Sequence, residues 1–298
     1  MYSICKVRRE KLTATITVLL PSFNGGSYLA EALASVFQQT YPSWQVIVID
    51  DASTDNSISA AKDYLADHRV TLITNQQNLG QSKSLNKGLA LVRTPYAIQL
   101  DSDDWFHSNT LALLHTAAEQ LPEKVALISG NLQLVIQSHD GRIINGEIWR
   151  NRSFSDRYDF MLADCSQWPR FYRTSALRNV GGWPIADPYE GRYMEDKQIL
   201  FRLIENHEFY WLDQTMYYHR RHSGNQTNLK QIYNELTEWV IRDTLKRWGN
   251  RYEPVFKDDI FGRKRLLRLN PSPSTTFPSP SSSSPLPPQH SPLPLGEG

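Results

Sequence analysis

The chain has 298 residues, 40% of them hydrophobic and 21% charged, with a net charge of +1, which is the composition of an ordinary globular protein with enough length for a sizeable core. The balanced charge argues against binding nucleic acid through bulk electrostatics, since no basic excess exists to displace condensed counterions; a small anionic ligand is compatible with it. Cys5 and Cys165 are the only cysteines and form no CxxC pair, so neither a disulfide framework nor a structural zinc site is indicated and a reduced, cytoplasmic setting fits best.

At the N-terminus, "MYSICKVRREKLTATITVLL" carries basic residues before an apolar run. That run is strand-sized and meets "PSFN" instead of a small-residue cleavage site, unlike a signal peptide. No segment reaches the roughly 18 apolar residues of a membrane span. A soluble protein is expected, with peripheral association at the inner face of a membrane left open. From there two periods alternate. The runs "TITVLL" (15–20), "QVIVID" (45–50), "VTLIT" (70–74) and "YAIQL" (96–100) read as strands apolar on both faces, the mark of a sheet covered on both sides. Helical patterns lie between them: Leu29, Leu33, Val36 and Phe37; then Ile58, Ala61 and Leu65 after "STDNS"; then Leu85, Leu89 and Val92. This alternation implies right-handed parallel crossovers, and in such a sheet the ligand crevice lies outside the carboxyl ends of the strands. The polar clusters "PSFNGG", "DDASTDNS", "NQQNLGQSK" and "DSDDW" follow the four strands in turn. Singly, each reads as a hydrophilic loop, with Asp51 or Ser53 as a helix cap and Asn24-Gly25 as a turn. Together they converge on one edge and mark a site.

From about residue 121 the pattern changes. "VALISGNLQLVIQSHDGRIINGEI" predicts two strands joined at Asp140-Gly141. "RTSALRNVGGW" predicts a short helix stopped by a left-handed cap at Gly181 and Gly182. "YMEDKQILFRLIENH" predicts a helix with Ile199, Leu200, Leu203 and Ile204 on one face, followed by a strand at "EFYWL" and a terminal amphipathic helix at "LKQIYNELTEWVIRDTLKRW". The stretch after Asn270 is built from Pro and Ser, has too few apolar residues for a core, and is expected to be disordered and dispensable for folding.

Asp101, Asp103 and Asp104 stand within four positions at the end of a buried run. Like charges this close repel and raise one another's pKa unless a cation, donor groups or water absorbs the field. The stretch "TVLLPSFNGGSYLAEALASVFQQTYPSWQVIVIDDASTDNS", followed by "LDSDD", "GGW" and "MED", resembles the family 2 glycosyltransferases. The resemblance runs from about Ile16 to Thr227. It implies an α/β protein of the GT-A (nucleotide-diphospho-sugar transferase) fold, with a mostly parallel central sheet and helices on both faces. Residues 12–110 would form the nucleotide-sugar-binding half and 111–227 the acceptor-binding half, followed by a C-terminal helical segment at 228–270 and the Pro/Ser-rich tail at 271–298. In that family the first βα loop and the second Asp of the "DD" pair hold the nucleotide base and ribose, matching Pro21, Phe23 and Asn24, and Asp51. The DxD motif, which binds the divalent cation and the ribose-diphosphate, maps onto Asp101 and Asp103. A "GGW" segment lies near the acceptor, and the general base, the Asp of an "ED" pair, maps onto Asp196 with Glu195 beside it. "HRRHSGNQT" resembles a loop that closes over the diphosphate, implying His222 near the metal and Arg220 as its partner; the other reading is a surface loop rich in His and Arg.

The chemistry accounts for these residue types. A departing diphosphate gains negative charge, which a hard divalent ion with oxygen ligands, Mg²⁺ or Mn²⁺, meets as a Lewis acid. Asp103 is the expected direct ligand; Asp101 either holds the ribose hydroxyls or binds through water, and Asp104 supports them. Lys83 either reaches a phosphate or is a solvated helix charge. Glu195 and Asp196 open a helix, where the dipole favours carboxylates regardless of catalysis, and spacing does not separate them as the base. "PSFNGGSYL" supplies neither the GxGxxG of a Rossmann dehydrogenase nor a P-loop. The rivals are a nucleotidyltransferase, whose Gly-rich basic loop is missing, and a sugar-nucleotide- or glycan-binding protein without turnover. The expected reaction is metal-dependent transfer with inversion from a nucleotide-sugar donor, a UDP-sugar, to a hydroxyl of a carbohydrate or lipid-linked glycan in polysaccharide biosynthesis.

Overall fold

The computed structural model describes residues 14–138 and 142–273. In its N-terminal half, strands β1 (Ile16–Ser22), β2 (Trp44–Asp50), β3 (Val70–Thr74) and β4 (Tyr96–Gln99) alternate with helices α1 (Tyr28–Phe37), α2 (Ser57–Ala60), α3 (Lys62–Leu65) and α4 (Gln81–Leu91). The two-residue period of β1 divides the protein interior. Ile16, Val18 and Leu20 enter one core with Leu29, Leu33 and Val36 of α1. Leu19 enters a second core on the other face, with Ile47, Ile49 and the α4 residues Leu85 and Leu89. β3 departs from the expected two-sided burial: it is the edge strand, and Thr71, Leu72 and Thr74 are exposed.

The remainder comprises β5 (Trp105–Phe106), α5 (Thr110–Gln120), β6 (Val125–Gln137), β7 (Ile143–Trp149), α6 (Arg157–Ala163), β8 (Arg170–Arg173), α7 (Thr174–Asn179), α8 (Glu195–Leu203), β9 (Glu208–Arg221), α9 (Lys230–Arg247), β10 (Tyr252–Asp258) and β11 (Lys264–Pro271). The main sheet runs β3-β2-β1-β4-β8-β6-β9-β5, with β7 paired to β6. β1 to β4 are parallel, and so are β6 and β9; β8 enters antiparallel between β4 and β6, and β5 and β7 are antiparallel to their neighbours. The sheet is therefore mixed; crossover connections link the parallel strands of the first hundred residues, and a further one through α5 joins β4 to β6, which run parallel with β8 between them. Because the chain winds outward from β1 to β3 and then returns to β4, the loops after β1 and β4 part at a switch point and leave a crevice between them.

The predicted stop after α7 is present. Gly181 and Gly182 have φ of 81° and 75°, and their N–H groups donate to the carbonyls of Arg178 and Leu177 at 3.0 and 2.9 Å, which satisfies the helix end with a left-handed turn open to glycine. The C-terminal region differs from the helical segment expected at 228–270. The helix ends at Arg247, and β10 and β11 form an antiparallel hairpin that brings Leu266 into the second core beside Val240, Ile241, Leu245 and Trp248. Nor does folding end at Asn270. Pro271 pairs with Tyr252, and the Ser272 N–H donates to the Arg251 carbonyl at 2.9 Å. The Asp140-Gly141 turn, Cys5 and residues 274–298 lie outside the described residues.

The hairpin register is directly testable, because Leu266 is 6% exposed and its neighbour Leu267 is 53% exposed. Leu266→Ala is expected to lower urea unfolding stability by about 2–3 kcal/mol, and Leu267→Ala by less than about 0.5 kcal/mol. Equal effects would show that the hairpin does not seat in this register.

Candidate active site

The crevice at the switch point is a cleft of about 900 Å³, whose lining includes Pro21, Phe23, Asn24, Asp101, Asp103, His222, Glu195 and Asp196. Its first wall is set by local backbone demands. Asn24 sits at φ 51°, a conformation that Asn tolerates better than most residues. Its Oδ1 accepts the Thr54 N–H at 2.8 Å, and its own N–H donates to Ser53 Oγ at 2.9 Å. The Gly26 N–H donates to Asp55 Oδ2 at 2.8 Å. The loops after β1 and β2 are thus locked together, leaving Phe23, 48% exposed, at the cleft edge.

The three carboxylates after β4 find three separate environments. Asp101 accepts the Gln99 amide at 3.0 Å and the Arg170 guanidinium at 2.8 Å. Asp103 faces the cleft and accepts from His222 Nε2 at 2.9 Å and Asn225 Nδ2 at 3.1 Å. Burial works to raise the Asp103 carboxyl, but the hydrogen bond and charge of His222 outweigh it and hold the group below its ordinary value. Asp104 is buried and fully engaged: Oδ2 meets the Tyr217 hydroxyl at 2.9 Å and His219 Nδ1 at 3.1 Å, while Oδ1 accepts the Arg220 N–H at 2.7 Å. Its burial pushes its carboxyl up against the opposing charge of His219. Mutual repulsion is therefore relieved by a dedicated donor set for each group. Asp104 fixes β9 against the loop, which leaves Asp101 and Asp103 to the cleft.

On the other side, Met194 at φ 54° turns the chain into α8, and Glu195 and Asp196 open that helix. Their environments differ. Glu195 is buried and takes the second hydrogen bond of Gln99, at 3.2 Å. Burial, then the charge of Asp196, pushes its carboxyl up to about 8. Asp196 keeps 21% of its side chain exposed and meets Arg170 Nη1 at 3.3 Å. Arg170, whose side chain is 2% exposed, thus holds Asp101 at one nitrogen and Asp196 at the other. The register of β4 and β8 sets Gln99 directly opposite Arg170, so two adjacent side chains join the DxD loop to the start of α8.

Four expected positions lie off the cleft wall. Asp51 does not line the cleft: its carboxylate accepts the Leu79 and Gly80 N–H groups and Asn75 Nδ2, all at 2.8 Å, and so anchors the turn into α4. Lys83 also lies off the cleft and pairs with Glu190. Arg220 is buried, with its guanidinium on Glu31, Gln137 and the Asp103 carbonyl at 2.5–2.8 Å; β9 is still extended here, so its side chains alternate and Arg221 lines the cleft in its place. Trp183 of "GGW" is 1% exposed, and Asn86 holds its backbone N–H and carbonyl at 2.9 and 2.8 Å, which pins it to α4. Sequence reasoning missed Arg170, Gln99, Asn225 and Arg221. The signal for Arg170 was available: a charged residue opening the apolar strand "RFYR" demands a buried counter-charge.

Asp103 and His222 are the pair suited to a divalent cation. They present a carboxylate oxygen and an imidazole nitrogen 2.9 Å apart on the cleft wall, a donor set that accommodates Mn²⁺ or Mg²⁺ when His222 exchanges its hydrogen bond for the ion. No group of three or more His, Cys, Asp or Glu residues able to hold a metal occurs among the described residues. A divalent ion held by these two residues alone would keep other coordination positions open.

Residues 17–181 match the family model for glycosyl transferase family 2, more than half of the 298-residue chain, and the chain belongs to that family. The glycosyltransferase GlyA of Streptococcus pneumoniae is 26% identical over 243 residues, 77% of this chain and 33% of that protein. The UDP-Glc:alpha-D-GlcNAc-diphosphoundecaprenol beta-1,3-glucosyltransferase WfgD of Escherichia coli is 28% identical over 120 residues, 40% of this chain and 46% of that protein. The chain spans 33% to 43% of the length of the first curated relatives that it matches. Among solved structures, S. aureus TarS 1–349 in complex with UDP-GlcNAc superposes with a TM-score of 0.60 at 22% identity, over 77% of this chain and 65% of that one. The mannosyltransferase PcManGT from Pyrobaculum calidifontis, in complex with GDP-Man and Mn²⁺, gives 0.53 at 16% identity, over 74% and 61%. The fold is GT-A.

The state of Glu195 has a measurable consequence. Between its ordinary value of 4.5 and about 8, the folded protein keeps a proton that the unfolded chain has released, so the stability this group contributes falls as pH rises through that window. Glu195→Gln, which keeps the shape and cannot ionise, is expected to lose less thermal stability than the wild type between about pH 5 and about pH 8. Parallel curves for the two proteins would contradict the buried, proton-holding state.

Proposed function

We propose that the protein is a metal-dependent, inverting glycosyltransferase that moves a sugar from a UDP-sugar to an acceptor hydroxyl in the assembly of a polysaccharide or lipid-linked glycan. The observation that carries this reading is that Asp101, Asp103, His222 and Asp196 face one cleft, with Asp101 and Asp196 on the same guanidinium. The UDP-GlcNAc complex of TarS and the acceptor named for WfgD support the donor and the pathway class, and Mn²⁺ beside GDP-Man in PcManGT supports the metal.

When bound at Asp103 and His222, a divalent cation would neutralise the charge that develops on the departing diphosphate. The side chains supply the rest. Phe23 and Asn24 form the wall against which the nucleoside rests, and Asp101, oriented by Gln99 and Arg170, faces the ribose-diphosphate. Asp196 takes the proton from the acceptor hydroxyl as the new bond to the anomeric carbon forms on the side opposite the breaking bond, and the nucleoside diphosphate leaves with the bonding pair. Glu195 is buried with its carboxyl pushed up to about 8 by burial and the charge of Asp196, which suits it less to that step, so this reading gives the base role to Asp196 and keeps Glu195 as the rival.

A panel of nucleotide sugars with and without Mn²⁺ tests the reading by thermal shift and product formation. UDP-sugars are expected to raise the melting temperature only with metal. Asp103→Ala should abolish both the metal dependence and transfer, and Asp196→Asn should lower turnover by about two to four orders of magnitude with donor affinity little changed. Metal-independent transfer removes the metal from the reading. Donor binding without turnover in the wild type, across a broad acceptor panel, turns it into a binding protein.

A further inference from the structure

The hairpin of β10 and β11 ends in "DDIFGRKR", and at its tip Ile260 is 92% exposed and Phe261 71% exposed. They are the most exposed large apolar side chains among the described residues. The tip lies outside residues 17–181, the part matched to the family.

Its exposure is built in by hydrogen bonds. Asp259 Oδ1 accepts the Phe261 and Arg263 N–H groups, each at 2.9 Å. The Asp259 N–H donates to the Arg263 carbonyl and the Gly262 N–H to the Asp259 carbonyl, also at 2.9 Å. Gly262 sits at φ 68°, where a side chain would be strained. The turn is also clamped to α9: Lys230 Nζ donates to the Phe261 carbonyl at 3.1 Å and Asn234 Nδ2 to the Gly262 carbonyl at 3.0 Å. With these groups engaged, the turn holds Ile260 and Phe261 out in water, where they gain nothing from the fold.

We propose that this tip is a membrane-docking element, inserting Ile260 and Phe261 into the interfacial region of an anionic phospholipid surface. Lys257, Lys230, Arg263 and Lys264 stand near it, against Asp258 and Asp259; Lys264 is paired with Glu238 at 2.5 Å, and Asp259 is held by the turn and by Arg265 at 3.4 Å, which leaves Lys257, Lys230 and Arg263 against Asp258. The surplus is positive, complementary to anionic lipid headgroups. Shape favours a bilayer over a protein partner. A projecting two-residue tip offers far less than the roughly 800 Å² per partner of a stable protein interface, whereas interfacial insertion needs only a small apolar surface beside cations. Arg263 and Lys264 also line the cleft, so docking sets the cleft rim at the headgroups. This inference stands on the hairpin alone and is independent of the reaction assigned to the cleft.

Cosedimentation of the full chain with vesicles tests it. The wild type is expected to bind vesicles of mixed phosphatidylcholine and phosphatidylglycerol, to bind pure phosphatidylcholine less, and to be released by salt. Ile260→Ser/Phe261→Ser should weaken binding by about tenfold or more at unchanged melting temperature, since both side chains are exposed. Lys257→Glu should weaken binding to the anionic vesicles alone. Failure of the wild type to bind, or equal binding by the double variant, overturns the proposal. So does a concentration-dependent dimer that the double variant dissolves, which would make the tip a contact between two copies of the chain.

Discussion

Arg170 carries its charge with only 2% of its side chain exposed, and the fold tolerates it because Asp101 and Asp196 meet its two terminal nitrogens at 2.8 and 3.3 Å. A buried ion pair of this kind is weak evidence for stability, because desolvation offsets much of the attraction; removing one partner, however, strands the other charge and costs about 3–5 kcal/mol. The arrangement therefore specifies geometry more than it strengthens the fold. The loop after β4 and the start of α8 are distant in sequence, and both must be in place before the two terminal nitrogens are paired; the Nε stays buried without a partner. Trp168 lies against the same group, its ring centroid 5.4 Å away.

The same strand pairing divides labour between two adjacent acids. Gln99, opposite Arg170, sends its amide to Asp101 and to Glu195, so Glu195 is drawn inward as Asp196 is left at the cleft wall. Two carboxyls one residue apart thus occupy unlike environments, which is how a fold assigns unlike roles to similar groups. Asp103 and Asp104 repeat the pattern. Asp104 is spent on Tyr217, His219 and the backbone of β9, and that expense fixes His222 beside Asp103.

Much of this was legible in the sequence where the signal was local. The four parallel strands announced themselves as short apolar runs, and their order put the polar clusters at one edge without any knowledge of side-chain contacts. Side-chain direction was not legible. Asp51, Arg220 and Trp183 all stand in the right segments, yet each turns inward: Asp51 toward unpaired amides at Leu79 and Gly80, Trp183 onto Asn86. Arg220 was read as part of a loop, whereas β9 continues to Arg221, and a strand reverses the facing of each successive residue. Arg170 was passed over because it belongs to no motif; only the sheet register, which pairs β8 with β4 across 70 residues of chain, reveals what it joins. The hairpin after α9 pairs locally, but it carries no two-sided apolar run, since only Leu266 of its two strands is buried.

The most direct test of this arrangement is the turnover of Arg170→Lys, which keeps the buried charge but offers one ammonium where two nitrogens are needed. The donor and metal response of the melting temperature should survive, because Asp103 and His222 are untouched. If Asp196 acts as the proposed base, turnover should fall by about a hundredfold, the cost of misplacing such a group by an ångström. Turnover equal to the wild type, in a variant that unfolds cooperatively and binds donor, would contradict the claim that Arg170 sets Asp196 against Asp101.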